Sequence, residues 1–197
     1  MGTEVPRFHP AVLRDSVSCG DQIVWVDPAR AHEVLQWLRD TPGQEFNYLV
    51  DLTAVDYRDP ERALEVVYQL RSLHRKVDLR VKISLDKQQP LAVDSVCDLW
   101  KGANWLEREV YDMFGVGFRG HPDLRRILMW ETYAEGHPLR KDFPLRGHFT
   151  RAEQTRQALA SNPEAHYSLE ELSLAEAYTE LPEEVRERLA RGQKGVR

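Results

Sequence analysis

Between Leu64 and Leu85 the chain alternates apolar and polar residues with a period of two, breaks once, and resumes. Leu64, Val66, Tyr68 and Leu70 alternate with Glu65, Val67, Gln69 and Arg71. After Leu73-His74-Arg75-Lys76, the residues Val77, Leu79, Val81, Ile83 and Leu85 alternate with Asp78, Arg80, Lys82 and Ser84. This period places successive side chains on opposite faces of a sheet, so the segment predicts an antiparallel hairpin with one buried and one wet face. The charges on the wet face also protect against edge pairing by other chains. The rest of the chain must then supply a cover for the apolar face.

Upstream, the first twenty residues carry weak signals, and Asp21 to Val26 (DQIVWV) reads as a short strand. Asp27 is a suitable N-cap, with Pro28 at the first helical position, for a helix from Ala29 to about Arg39. Val34, Leu35 and Leu38 form its apolar stripe, and Thr41-Pro42-Gly43 ends it. Phe46 to Leu52 reads as a further strand. The nearby Asp51, Asp56 and Asp59 lack the spacing of a calcium loop and are expected to serve turns. Val93 to Trp100 is expected to form a short helical lead-in capped by Asp94 or Ser95, with Cys97 as a small buried hydrophobe. The expected fold is α+β: a mostly antiparallel sheet of about four strands, covered by helices starting at Ala29 and Ala103, with an extended and partly helical C-terminal tail.

The stretch from Trp100 to Pro144 carries the densest pattern. Leu106, Val110, Met113 and Phe114 line one face of a helix that Gly115 stops. Glu107, Arg108, Glu109 and Asp112 crowd the same helix with charge, Arg108 four residues and Glu109 three residues before Asp112. Beyond it, Gly120-His121-Pro122 recurs in type as Gly136-His137-Pro138. Leu124-Arg125 follows the first triplet, with Arg126 next, and Leu139-Arg140 follows the second, with Lys141 and Asp142 next. Each proline holds its histidine extended and each glycine permits a turn, so two basic elbows result. Three readings compete: a solvated helix face, a general acid–base pair in a free-standing hydrolase (Glu109 and Asp112 with His137 or His121), and a protein interface. No nucleophile motif or phosphate loop supports catalysis. Arginine forks beside aromatics favour the interface. His121, His137 and His148 lack the spacing that puts metal ligands on one element. With two cysteines, Cys19 and Cys97, the chain cannot hold an iron–sulfur cluster alone.

Other segments agree with an ordinary globular chain. The net charge of −5 argues against a nucleic-acid surface. No apolar run approaches the length of a membrane span, and the N-terminus lacks a signal-peptide layout. Unpaired cysteines suit a reducing compartment. A boundary is expected near Gly147, separating residues 1–146 from a tail, 147–197. In the tail, Thr150-x-x-Glu153 and Ser168-x-x-Glu171 are capping boxes opening helical runs at Arg151–Ala160 and Leu169–Leu181. From residue 162 to 190 the tail is strongly acidic, as a solvated tail is, but its leucines and Tyr178 give a partial apolar stripe, so it is expected to order against another subunit, and residues 192–197 to fray.

The ordered residues WLEREVYDMFG, FRGHPDLRRIL and EGHPLRKDFP, within the stretch from Trp100 to Pro144, resemble the signature of the 30 kDa (C-type) subunit family of respiratory complex I, the proton-translocating NADH:quinone oxidoreductase. Asp51-Leu-Thr-Ala-Val-Asp-Tyr57 resembles a second, shorter stretch of that family. The resemblance implies a subunit of the hydrophilic arm without an active site or cofactor of its own. FMN and iron–sulfur clusters would belong to partner subunits, and the chain would pack beside the large (49 kDa-type) quinone-site subunit. It would lie on the cytoplasmic side of the cell membrane as a peripheral component. Contact roles are implied for Glu107, Arg108, Glu109, Asp112, Arg126, His137, Arg140, Lys141 and Asp142, and the interface reading adds His121 and Arg125. Related subunits of membrane-bound hydrogenase or formate-hydrogenlyase complexes are the alternative within the wider family.

Overall fold

The computed structural model describes residues 9–59 and 63–161, and the expected second tail helix, acidic segment and fraying terminus lie outside them. The chain divides into two compact units, Met1–His148 and Phe149–Arg197. The first is an α+β unit built on a five-stranded sheet, β1 (Val12–Ser18), β2 (Asp21–Val26), β3 (Tyr48–Val55), β4 (Leu64–Ser72) and β5 (Val77–Leu85), in the order β1-β2-β5-β4-β3. All neighbours are antiparallel except β2 and β5, which run parallel.

The strand count exceeds the expected four because β1 carries no alternation: Val12 is half-buried and Leu13, Arg14 and Asp15 are exposed, as befits an edge strand. It turns into β2 through Cys19 and Gly20, both with positive φ (53° and 90°), with Ser18 opposite Asp21. A two-residue loop of that kind matches the twist of the strands it joins. The β4–β5 hairpin has the expected bounds, with Leu64 opposite Leu85 and Ser72 opposite Val77. Its second face is only partly wet, however: Arg71 and Ser84 are exposed, and Gln69, Asp78, Arg80 and Lys82 are half-buried. Both strands are interior, and Glu65 and Val67 are buried, so the charged face guards no edge.

Leu64, Val66, Tyr68 and Leu70 of β4 and Leu79, Val81 and Ile83 of β5 point into one core, joined by Val24 and Val26 of β2. A bulge in β3, where Leu49 opposes Leu70 and Asp51 opposes Gln69, leaves Val50 without a partner and lets Leu49 and Leu52 both face inward. Helix α1 (Ala31–Asp40) buries Val34, Leu35 and Leu38 in that core. It is entered through a 3-10 turn, Pro28–Arg30, in which Asp27 accepts the Ala29 N–H at 3.0 Å.

The expected helical lead-in after residue 93 is instead a short strand, β6 (Ala92–Asp94), followed by a turn at Val96–Trp100. β6 pairs in parallel with β7 (Gly117–Arg119), and helix α2 (Ala103–Phe114) connects them. Val110, Met113 and Phe114 are buried, Leu106 packs at the core's margin, and Gly115 ends the helix in a left-handed conformation. In the second unit, α3 (Arg151–Ser161) opens with the expected capping box: Thr150 Oγ1 donates to Glu153 at 2.6 Å, and Thr150 N donates to the same carboxylate at 2.9 Å.

Candidate functional site

Helix α2 organises everything between residues 95 and 141. Its charged residues do not form a solvated face, because the loops after β7 return over them. Asp112 is fully buried, and its Oδ2 accepts the backbone N–H groups of Ile127 (3.1 Å), Leu128 (2.8 Å) and Met129 (2.8 Å). Its Oδ1 meets Arg126 Nη1 at 2.5 Å, and Arg126 Nη2 reaches on to the Gly136 carbonyl at 3.0 Å. Desolvation pushes the Asp112 carboxyl upward. The Met129 N–H, the Arg126 guanidinium and the Leu128 and Ile127 N–H groups outweigh it and hold the group below its usual range. One turn earlier, Arg108 is buried and donates to the carbonyls of Arg125 (3.2 Å) and Arg126 (3.0 Å), with its guanidinium over the Trp105 ring.

The second elbow caps the C-terminus of α2. A helix ends with carbonyls that lack intrahelical partners and with a partial negative charge, which cations and N–H donors satisfy. Here His137 Nδ1 donates to the Asp112 carbonyl (2.9 Å), Leu139 N to that of Met113 (3.0 Å) and Arg140 Nη1 to that of Phe114 (3.5 Å). The His137 ring lies over Gly115 so closely that a Cβ there would fall 2.6 Å from it. Across the molecule, Asp56 accepts the Lys141 N–H at 2.8 Å and pairs with Lys87 at 2.7 Å, tying the segment after β3 to this elbow. The first elbow is held at the other end of α2. His121 Nε2 donates to the Asn104 carbonyl at 3.1 Å, and its Nδ1 accepts the Asp123 N–H at 3.0 Å.

Glu107 faces a different neighbourhood. It is fully buried and accepts from Ser95 Oγ (2.7 Å), Val96 N (2.7 Å) and Cys97 Sγ (3.5 Å). Burial raises its carboxyl above the usual range, against the Val96 and Ser95 hydrogen bonds. Cys97 therefore does more than fill space: it is half-buried at the core's margin with its thiol on this carboxylate. Cys97, Glu107 and His121 bring sulfur, oxygen and nitrogen atoms within 4.8 Å of one another.

The residues singled out from the sequence thus separate into two sets. Glu107, Arg108 and Asp112 are buried, and Arg126, His137, Arg140 and His121 are half-buried and bonded within the chain. Glu109, Arg125, Lys141 and Asp142 are exposed. The acid–base reading fails on geometry: Glu109 faces solvent while Asp112 is enclosed, so the two carboxylates share no cleft. Apolar residues outside that charged set stand out as well. Trp105, Leu128, Leu139 and Leu145 are exposed large apolar side chains in or beside the elbows, and Leu139 and Leu145 line a groove of about 620 Å³ with Arg58, Pro138, Lys141 and Pro144. No helix among the described residues is long and apolar enough to cross a membrane.

Comparison with known proteins agrees with this architecture. Residues 24–149 match the family described as respiratory-chain NADH dehydrogenase, 30 Kd subunit. The chain is 46% identical over 137 residues to the C-type subunit of NADH-quinone oxidoreductase from Xanthobacter autotrophicus, covering 70% of this chain and 64% of that one. It is 47% identical over 135 residues to the C-type subunit of a Roseiflexus species, covering 68% and 76%. The C/D-type subunit of NADH-quinone oxidoreductase from Acidiphilium cryptum is 45% identical over 159 residues, which span 72% of this chain and 26% of that protein. Among solved structures, a trypsin-resistant fragment of Nqo5 superposes with a TM-score of 0.51 at 34% identity, covering 56% of this chain and 89% of the fragment. A chain of an archaeal membrane-bound sulfane sulfur reductase shares the fold, with a TM-score of 0.58 at 23% identity, covering 75% and 83%. By sequence and by fold, the chain belongs to the 30 kDa subunit family of respiratory-chain NADH dehydrogenase, the family of C-type subunits of NADH-quinone oxidoreductase.

Proposed function

We propose that this chain is a non-catalytic docking subunit, without a redox cofactor of its own, in the peripheral arm of a proton-translocating NADH:quinone oxidoreductase, on the cytoplasmic side of the membrane. Its partners are the large quinone-site subunit and neighbouring iron–sulfur subunits, and FMN and the clusters that carry electrons from NADH to quinone reside on those partners. The observation that carries this reading is the division of labour between Trp100 and Pro144. The charged groups that hold the loops are consumed inside the chain, and the loops so held present Leu128, Leu139 and Leu145 to solvent, Leu145 at full exposure. Apolar anchors on a rigid frame, rimmed by Arg58 and Lys141, suit a partner segment with apolar side chains and acidic flanks. A relative whose name joins the C and D types in one chain supports a D-type subunit as the neighbour.

The test replaces Leu139 and Leu145 by aspartate together in cells that make the complex, and measures the quinone-site subunit that co-purifies with the tagged chain. The expected result is a loss of roughly tenfold or more in recovery, with unchanged circular dichroism of the full-length variant. Normal recovery would overturn the docking assignment.

A further inference from the structure

We propose that Cys97, Glu107 and His121 form a three-ligand site for a divalent metal ion of borderline softness, with Zn²⁺ the best match. The ligands come from three places: the turn after β6, the second turn of α2 and the loop after β7. Each offers one ligand atom within 4.8 Å of the other two. A thiolate, a carboxylate and an imidazole are the donors that Zn²⁺ accepts in tetrahedral sites, and three protein ligands leave a fourth position for water or another group. Zn²⁺ has no redox chemistry, so such an ion serves structure and carries no electrons.

A further observation points to a cation. Glu107 is fully buried, yet among the described residues no lysine or arginine pairs with it, and its hydrogen-bond donors Ser95, Val96 and Cys97 are all neutral. The buried carboxylates Asp56, Glu65 and Asp112 each have a basic partner, Lys87, Lys82 and Arg126 in turn. A carboxylate taken out of water calls for compensating charge, and a bound ion supplies it. Loading the site deprotonates the Cys97 thiol and releases that proton to solvent. His121 exchanges one of its two backbone contacts, to Asn104 or to Asp123, for the ion. The result is a staple joining the start of α2 to both strands of the small parallel sheet.

The test is Co²⁺ titration of the metal-free full-length chain, followed by absorption. The expected result is one ion bound per chain, with visible tetrahedral d–d bands and a near-ultraviolet thiolate charge-transfer band, all displaced by Zn²⁺. Cys97→Ser abolishes the charge-transfer band, Cys19→Ser leaves it intact, and His121→Ala weakens Co²⁺ binding by about tenfold or more. No charge-transfer band in the parent chain, or a band that survives Cys97→Ser, overturns the proposal. Should Cys97→Ser not fold by circular dichroism, the half-exposed His121→Ala carries the test, and unchanged affinity in it likewise overturns the proposal.

Discussion

The carboxylate of Asp112 and the backbone of Leu128, sixteen residues apart in sequence, meet at 2.8 Å in the interior, so that one side chain on a helix sets the path of the loop that covers it. Three consecutive N–H groups and one guanidinium share that carboxylate. Asp112→Ala leaves the half-buried Arg126 without its carboxylate and three amides unserved. It is expected to destabilise the chain by about 3–5 kcal/mol, measured by denaturant unfolding of the full-length protein. A change under about 1 kcal/mol would show that the loop is held elsewhere.

Acid should weaken the fold through the same group. Asp112 and Glu65 both have carboxyl values below the ordinary 3.8 and 4.5: desolvation is outweighed by N–H donors and Arg126 in the first, and by Lys82, Tyr57 and Trp25 in the second. A carboxyl held low in the folded state adds stability that is complete above its unfolded value and is lost as pH falls through the folded one. Melting temperature is therefore expected to be flat with respect to these groups above about pH 5 and to fall below about pH 4.5. Asp112→Asn should flatten that acid limb. An acid limb of the same depth in the variant would assign it to other carboxylates.

Gly115 and His137 make a separable pair. At φ 75° any L side chain is strained, and a Cβ would also meet the His137 ring at 2.6 Å. Gly115→Ala should cost more than about 1 kcal/mol in thermal or urea unfolding. In a His137→Ala background the same change should cost less, because only the backbone strain remains. Additive costs would mean that the ring moves aside freely.

Arginines in this segment should fall into two classes. Arg126, bonded to Asp112 and to the Gly136 carbonyl, is expected to lower both melting temperature and assembled complex when replaced by alanine. Arg125 is exposed, with Asp123 as its ionic partner, so Arg125→Ala should change stability by no more than about 0.5 kcal/mol. Measuring both variants by melting and by complex recovery separates loss of fold from loss of contact. Equal melting temperatures for the two would contradict the internal role of Arg126.

Much of this is legible in the residues. The β4–β5 hairpin, the stop at Gly115 and the cap at Thr150 depend on neighbours within a few positions, and period, glycine and capping chemistry report such interactions directly. The interface reading of the elbows comes from charge, and charge alone does not say which way a side chain turns. β1 is hidden because an exposed edge strand need not alternate, and because Cys19-Gly20 is not a usual turn pair. The parallel neighbours β2 and β5, the inward turn of Arg108 and Asp112, and the meeting of Cys97, Glu107 and His121 are decided by tertiary structure. Helical spacing tells which residues share a face of α2, but whether that face meets water, a partner or the chain's own returning loop depends on segments far away in sequence, brought back by packing against the common core.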